Sequence, residues 1–132
     1  MPPQVSLQVK CRLSHAAILP PTSTNAPSPI GVFDSGIGGL TVVRALMERL
    51  PYENIVYFGD TARVPYGVKS VETIAHFTTE IAQFLLEKDV KLLVIACNTM
   101  AAVAAQMVKD LSPVPVLDVI DAGAASARGG KK

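Results

Sequence analysis

The sequence has no tryptophan, and aromatic residues make up only 5% of it. It holds two cysteines, Cys11 and Cys97, which make neither a disulfide framework nor a metal site. Charge of one sign is lacking too. Twelve Lys and Arg face eleven Asp and Glu, and a net charge of +1 gives no electrostatic case for nucleic acid or an anionic membrane. No apolar run approaches the length that spans a bilayer. Ala16–Leu19 is too short for a signal-peptide core, and Pro20–Pro21 follows it. A cytoplasmic protein in a reducing compartment is the expectation, with no metal.

What is present is aliphatic. Hydrophobic residues are 49% of the 132, mostly Val, Ala, Leu and Ile, the composition of one closely packed α/β domain. Residues 1–29 read as a disordered or extended arm: Val5, Leu7 and Val9 alternate as in a short strand, and four prolines fall between Pro20 and Pro29. Residues 30–121 carry the ordered pattern. Ile30–Phe33 reads as a strand, and Leu40, Val43, Leu46, Met47 and Leu50 recur at helical spacing up to Pro51. Ile55–Phe58 is a second strand. Ser70 caps a long amphipathic helix marked by Val71, Ile74, Phe77, Ile81, Phe84 and Leu85. Its opposite face carries Glu72, His76 and Glu80, which makes His76 a solvated surface residue. A third strand ends near Ala96, a helix runs from Cys97 to about Leu111, and Val116–Ile120 reads as a fourth strand. Residues 122–132 collapse to Ala, Gly, Ser and Lys and read as a disordered low-complexity tail.

The alternation βαβαβαβ predicts an open parallel sheet with helices on both faces. A flavodoxin-like strand order 2-1-3-4, counted from Ile30, brings the ends of the first and third strands to one crevice. Asp34 ends the first, Cys97 ends the third, and Pro65–Tyr66–Gly67 follows the second.

Three stretches there could carry chemistry. Asp34–Ser35–Gly36–Ile37–Gly38–Gly39 lacks a dinucleotide fingerprint's third glycine, because Thr41 stands in its place, and lacks a P-loop's Gly-Lys-Ser/Thr. It is either an anion-binding turn or merely a tight one. Leu92–Ile95 delivers Cys97 to a helix start at Asn98–Thr99, where amide donors and the helix dipole favour thiolate. A bland reading of Cys97 as a small buried hydrophobe stands beside this. Its position opposite Asp34, a candidate relay or orienter, favours the functional one. Tyr66–Gly67 either closes over a ligand or makes an ordinary turn, and Arg63 reads as a structural ion pair.

These same stretches, Ile30–Val42, Gly59–Gly67 and Val94–Thr99, closely resemble the amino-terminal segment of bacterial glutamate racemases, members of the aspartate/glutamate racemase family, in order and spacing. The resemblance implies a cofactor-independent racemase that interconverts L- and D-glutamate for peptidoglycan through two cysteines on opposite faces of the substrate. On the matching positions, Cys97 would be one of the two and Asp34 its helper. Asp34, Ser35, Tyr66, Gly67, Asn98 and Thr99 would hold the substrate. The family continues into a second domain with a Cys-Thr-His motif that this sequence lacks, so the chain alone is expected to be weakly active or inactive. Glutamate is the expected partner, a homodimer is left open, and neither nucleic acid nor membrane is expected. The rival readings are a non-catalytic module that binds an acidic amino acid or a protein, and a racemase for aspartate.

Overall fold

The computed structural model describes residues 9–10, 28–63 and 65–129. Five strands form one sheet: β1 (Val9–Lys10), β2 (Ile30–Asp34), β3 (Ile55–Gly59), β4 (Leu92–Ile95) and β5 (Val116–Asp118), in the spatial order β1-β3-β2-β4-β5. The four strands from Ile30 onward are parallel and have the expected 2-1-3-4 order. β1 adds an antiparallel edge, with Val9 opposite Tyr57. β1 and Ser28–Pro29, whose Pro29 carbonyl accepts from the Lys91 amide at 2.9 Å, are the described pieces of the expected amino-terminal arm. Residues 1–8 and 11–27, with Cys11, lie outside the described residues.

Period-two alternation sorts the strands into two faces. Ile30, Val32, Ile55, Tyr57 and Val94 pack with Val43 of α1 (Leu40–Arg49) on one face. Phe33, Phe58, Leu93 and Ile95 pack on the other with Ile74, Ile81 and Leu85 of α2 (Val71–Leu86) and Met100 and Val108 of α3 (Asn98–Leu111). Ser70 caps α2, its hydroxyl accepting from the Thr73 amide at 3.1 Å. Gly31 is buried on the α2 face, where a Cβ would meet Val90 and Leu93 side chains at 3.1 and 3.2 Å. The absent side chain lets the helix layer approach the central strand.

The last strand is shorter than the sequence pattern implies. It ends at Asp118, and α4 (Val119–Gly129) replaces both its expected continuation to Ile120 and most of the expected disordered tail. Alanine is the best helix former, and Asp118 supplies the start: its carboxylate accepts from the Asp121 amide at 2.9 Å. α4 buries no residue. Residues 130–132 lie outside the described residues.

Asp118 itself is buried, 4% exposed, and lies 3.1 Å from the Lys109 ammonium. Burial pushes its carboxyl up, but the bonds from Asp121 and Lys109 outweigh this and hold it below its ordinary value. A carboxyl that ionises more readily when folded contributes its full stabilisation above the ordinary Asp pKa of about 3.9 and loses it as pH falls through the lower folded value. Asp118→Ala is therefore expected to cost about 1–3 kcal/mol at pH 7. The gap from the parent should narrow below about pH 4, read as urea midpoints across a pH series.

Candidate active site

The parallel strands β2, β3 and β4 end together, and the three sequence-singled stretches follow them. The β2 end turns on Asp34, which is 4% exposed. One carboxylate oxygen accepts from the Ser35 amide at 2.7 Å, the other from the Gly39 amide, with the Tyr57 hydroxyl 3.5 Å away. Two of the amides that the glycine-rich turn could offer to a ligand anion, those of Ser35 and Gly39, are thus taken by the chain's own carboxylate. Gly39 is needed for this, since a Cβ there would lie 2.8 Å from the Asp34 Cβ. The Tyr57 hydroxyl donates to the Gly36 carbonyl at 3.0 Å. Burial, then the Asp34 carboxylate, pushes this phenol far above its ordinary range, so it stays a donor. A Cβ on Gly59 would fall on the Gly36 carbonyl oxygen, well inside contact distance.

Alternation decides which β2 residue meets the thiol. Asp34 follows Ile30 and Val32 toward the α1 face, whereas Cys97 follows Leu93 and Ile95 toward the α2–α3 face. Ser35, one residue on, reaches it: Ser35 Oγ lies 3.3 Å from Cys97 Sγ. Among the described residues no hydrogen bond joins Asp34 to Cys97. Asp34 acts on that contact through the Ser35 amide it holds.

Cys97 is itself the N-cap of α3, a role the sequence assigns to Asn98 or Thr99. Its backbone is extended (φ −125°, ψ 126°), and its sulfur accepts from the Met100 amide at 3.5 Å. It is 8% exposed, at the positive end of a 14-residue helix. Asn98 is exposed and Thr99 half-buried in the first turn of α3.

After β3 the chain makes two short 3-10 turns, Thr61–Arg63 and Tyr66–Val68. Tyr66 is buried, and its hydroxyl donates to the Asp60 carboxylate. Gly67 is exposed, and a Cβ there would meet nothing within 4 Å. Arg63 makes the structural ion pairs expected of it, 2.6 Å to Asp60 and 2.7 Å to Glu80, with its guanidinium 3.8 Å from the centre of the Phe77 ring. Asp60 is 2% exposed and is the residue that sequence reasoning passed over. His76 is exposed on α2, as its helical phase predicts. Among the described residues no group of three His, Cys, Asp or Glu side chains could hold a metal ion, and no helix is long and apolar enough to cross a membrane.

A buried thiol at a helix start, a serine against it and a carboxylate-braced glycine turn thus lie together at the carboxyl edge of a parallel α/β sheet. The Asp/Glu/Hydantoin racemase family profile matches residues 30–132, and the chain belongs to that family. It is 76% identical over 105 residues to a glutamate racemase of Syntrophus aciditrophicus, covering 78% of this chain and 39% of that protein. It is 70% identical over 100 residues to a glutamate racemase of Neisseria meningitidis, covering 75% and 37%. Among solved structures, the glutamate racemase of Thermus thermophilus in complex with β-chloro-D-alanine superposes with a TM-score of 0.74 at 50% identity, covering 81% of this chain and 42% of that one. The Francisella tularensis glutamate racemase in complex with D-glutamate gives 0.73 at 53%, covering 76% and 38%. The chain thus spans about two fifths of the length of the relatives it matches.

The N-cap geometry makes Cys97 a stability question as well as a chemical one. Serine is among the best N-caps, and alanine forfeits about 1 kcal/mol at such a position. Cys97→Ser is expected to unfold in urea within about 1 kcal/mol of the parent, and Cys97→Ala about 1 kcal/mol below Cys97→Ser. Such a result would show that the cap alone does not require sulfur.

Proposed function

We propose that the chain is the amino-terminal part of a glutamate racemase and carries one of the two proton-transferring groups of its reaction. The observation that carries this reading is Cys97, set as the N-cap of α3 with Ser35 Oγ at 3.3 Å from its sulfur. Inverting a stereocentre by proton transfer needs a base on one face and an acid on the other. The Cys97 thiolate takes the α-proton of glutamate, the C–H electron pair stays on the α-carbon, and a thiol on the opposite face delivers a proton to it. Amide donors at the start of α3 favour the anionic sulfur. Ser35 orients it, and Asp34 fixes Ser35.

In this proposal Ser35, Tyr66, Gly67, Asn98 and Thr99 hold the amino and carboxylate groups, with Asp34 acting from behind the turn. Open space beside Gly67 supports a ligand approaching its main chain, because nothing described around it calls for glycine. The product would be D-glutamate for peptidoglycan, made in the cytoplasm without a cofactor. Glutamate is favoured over aspartate by the Syntrophus and Neisseria relatives, both glutamate racemases.

Circular dichroism of L- and D-glutamate solutions with the purified 132-residue chain tests the proposal. Little or no racemisation is expected from the chain alone. Exchange of the α-hydrogen into deuterated water is expected for one enantiomer and is expected to be lost in Cys97→Ser. Robust turnover that survives Cys97→Ser would sink the mechanism and the assignment of Cys97. Binding of D-glutamate with no exchange at all would favour a non-catalytic amino-acid-binding module. Exchange of aspartate in preference to glutamate would move the specificity.

A further inference from the structure

Asp60 is the most deeply buried charged side chain described, at 2% exposure, and the proton-transfer scheme leaves it without a task. Its surroundings are built around it. Its Oδ2 accepts from the Tyr66 hydroxyl and from Arg63 Nε at 2.6 Å. Arg63 Nη1 continues to Glu80 of α2 at 2.7 Å. Beneath the guanidinium lies Phe77, whose ring centre is 5.9 Å from that of Tyr66. The Asp60 amide donates to the Asp34 carbonyl at 3.0 Å. One residue therefore ties the segment after β3 to α2 on one side and to the glycine turn on the other.

Tyr66 in turn belongs to the same continuous buried cluster as Cys97, Phe58, Ile95, Met100 and Ala101. Burial, then the bond to Asp60, pushes its phenol far above the ordinary range, and a charge on Cys97 adds to that rise. So the hydroxyl is committed to Asp60, while the residue shares a buried cluster with the thiol. Burial would lower the Arg63 guanidinium, but its bonds to Glu80 and Asp60 reverse this and keep it charged. A buried carboxylate with no partner would be costly, and here two donors converge on a single oxygen.

We propose that Asp60 is a positioning residue of the site: by consuming the Tyr66 hydroxyl and anchoring Arg63, it holds the Pro65–Gly67 segment against the Cys97 end of the sheet, so that the segment meets a ligand with its main chain and not with the Tyr66 hydroxyl. The proposal rests on the racemase reading only for the identity of the ligand. The packing of the segment against the thiol is a property of the unliganded chain.

Iodoacetamide alkylation of Cys97, followed by mass spectrometry in a Cys11→Ser background, reads that packing without substrate. Asp60→Ala is expected to raise the alkylation rate about tenfold with the far-ultraviolet circular dichroism of the parent. Asp60→Asn keeps an acceptor for Tyr66 while losing the charge that faces Arg63, and should raise it less than about threefold. Tyr66→Phe, which removes the same bond from the other side and keeps the ring, is expected to follow Asp60→Ala and stands in for it if that variant does not fold. Parental alkylation rates in folded Asp60→Ala or in Tyr66→Phe would overturn the proposal, since a purely structural Asp60 would lower the melting temperature and leave the thiol as protected as before. Repeating the alkylation with D-glutamate separates the two readings. Loss of protection by D-glutamate in the parent would count against glutamate as ligand, while the variant series without ligand would still decide the role of Asp60.

Discussion

The arrangement depends first on a carboxylate folded back over its own turn. Asp34 closes β2 and places its two oxygens on the Ser35 and Gly39 amides. That satisfies donors that a sharp strand-to-helix turn would otherwise leave bare, and it fixes where Ser35 points. Ser35 then faces Cys97 across the β2–β4 pair, and Cys97 starts α3. Strand, turn, serine, thiol and helix form one chain of contacts that begins at a side chain on the far face of the sheet. Asp34 shapes the thiol's surroundings without a hydrogen bond to it.

A second brace comes from β3. Tyr57 reaches under the glycine turn to the Gly36 carbonyl, while Asp60 fixes the segment that carries Tyr66. The two residues leave β3 on different errands. Tyr57, within the strand, steadies the turn after β2; Asp60, just past it, steadies the segment after β3 and bonds to the Asp34 carbonyl. Loops at a sheet edge are usually the mobile part of a fold. Here three of them are joined to one another, by the Ser35–Cys97 contact and by the Asp60 amide on the Asp34 carbonyl, with Tyr57 bracing the glycine turn from within β3.

Most of the fold was legible because it is written in periodicity. Val43 and Leu46 at helical spacing, Ser70 before a long amphipathic run, and the apolar Leu92–Ile95 all became the elements they resemble. The parallel sheet followed from alternation of strand and helix, while its 2-1-3-4 order was taken from the flavodoxin-like arrangement and is the one observed. The end of β5 was not legible, because Val119 and Ile120 suit a strand by composition and are helical by virtue of a cap on Asp118, a contact that hydrophobic pattern does not encode. The candidate site was legible as a set of loops. Which side chain meets the thiol was not, since it turns on the phase of a strand: Asp34 and Ser35 differ by one residue and so by one face. Asp60 was passed over because a charged residue after a strand ordinarily sits in water, and only the arrival of Tyr66 and Arg63 from further along the chain makes it a buried hub.

Gly59 has a consequence for how this protein can vary. The Gly36 carbonyl lies where its side chain would begin, so every one of the other nineteen amino acids brings at least one atom too many. Any missense change in its codon adds that atom and presses directly on the turn that aims Ser35. A single-base missense change at this codon therefore displaces main chain and not merely a side chain.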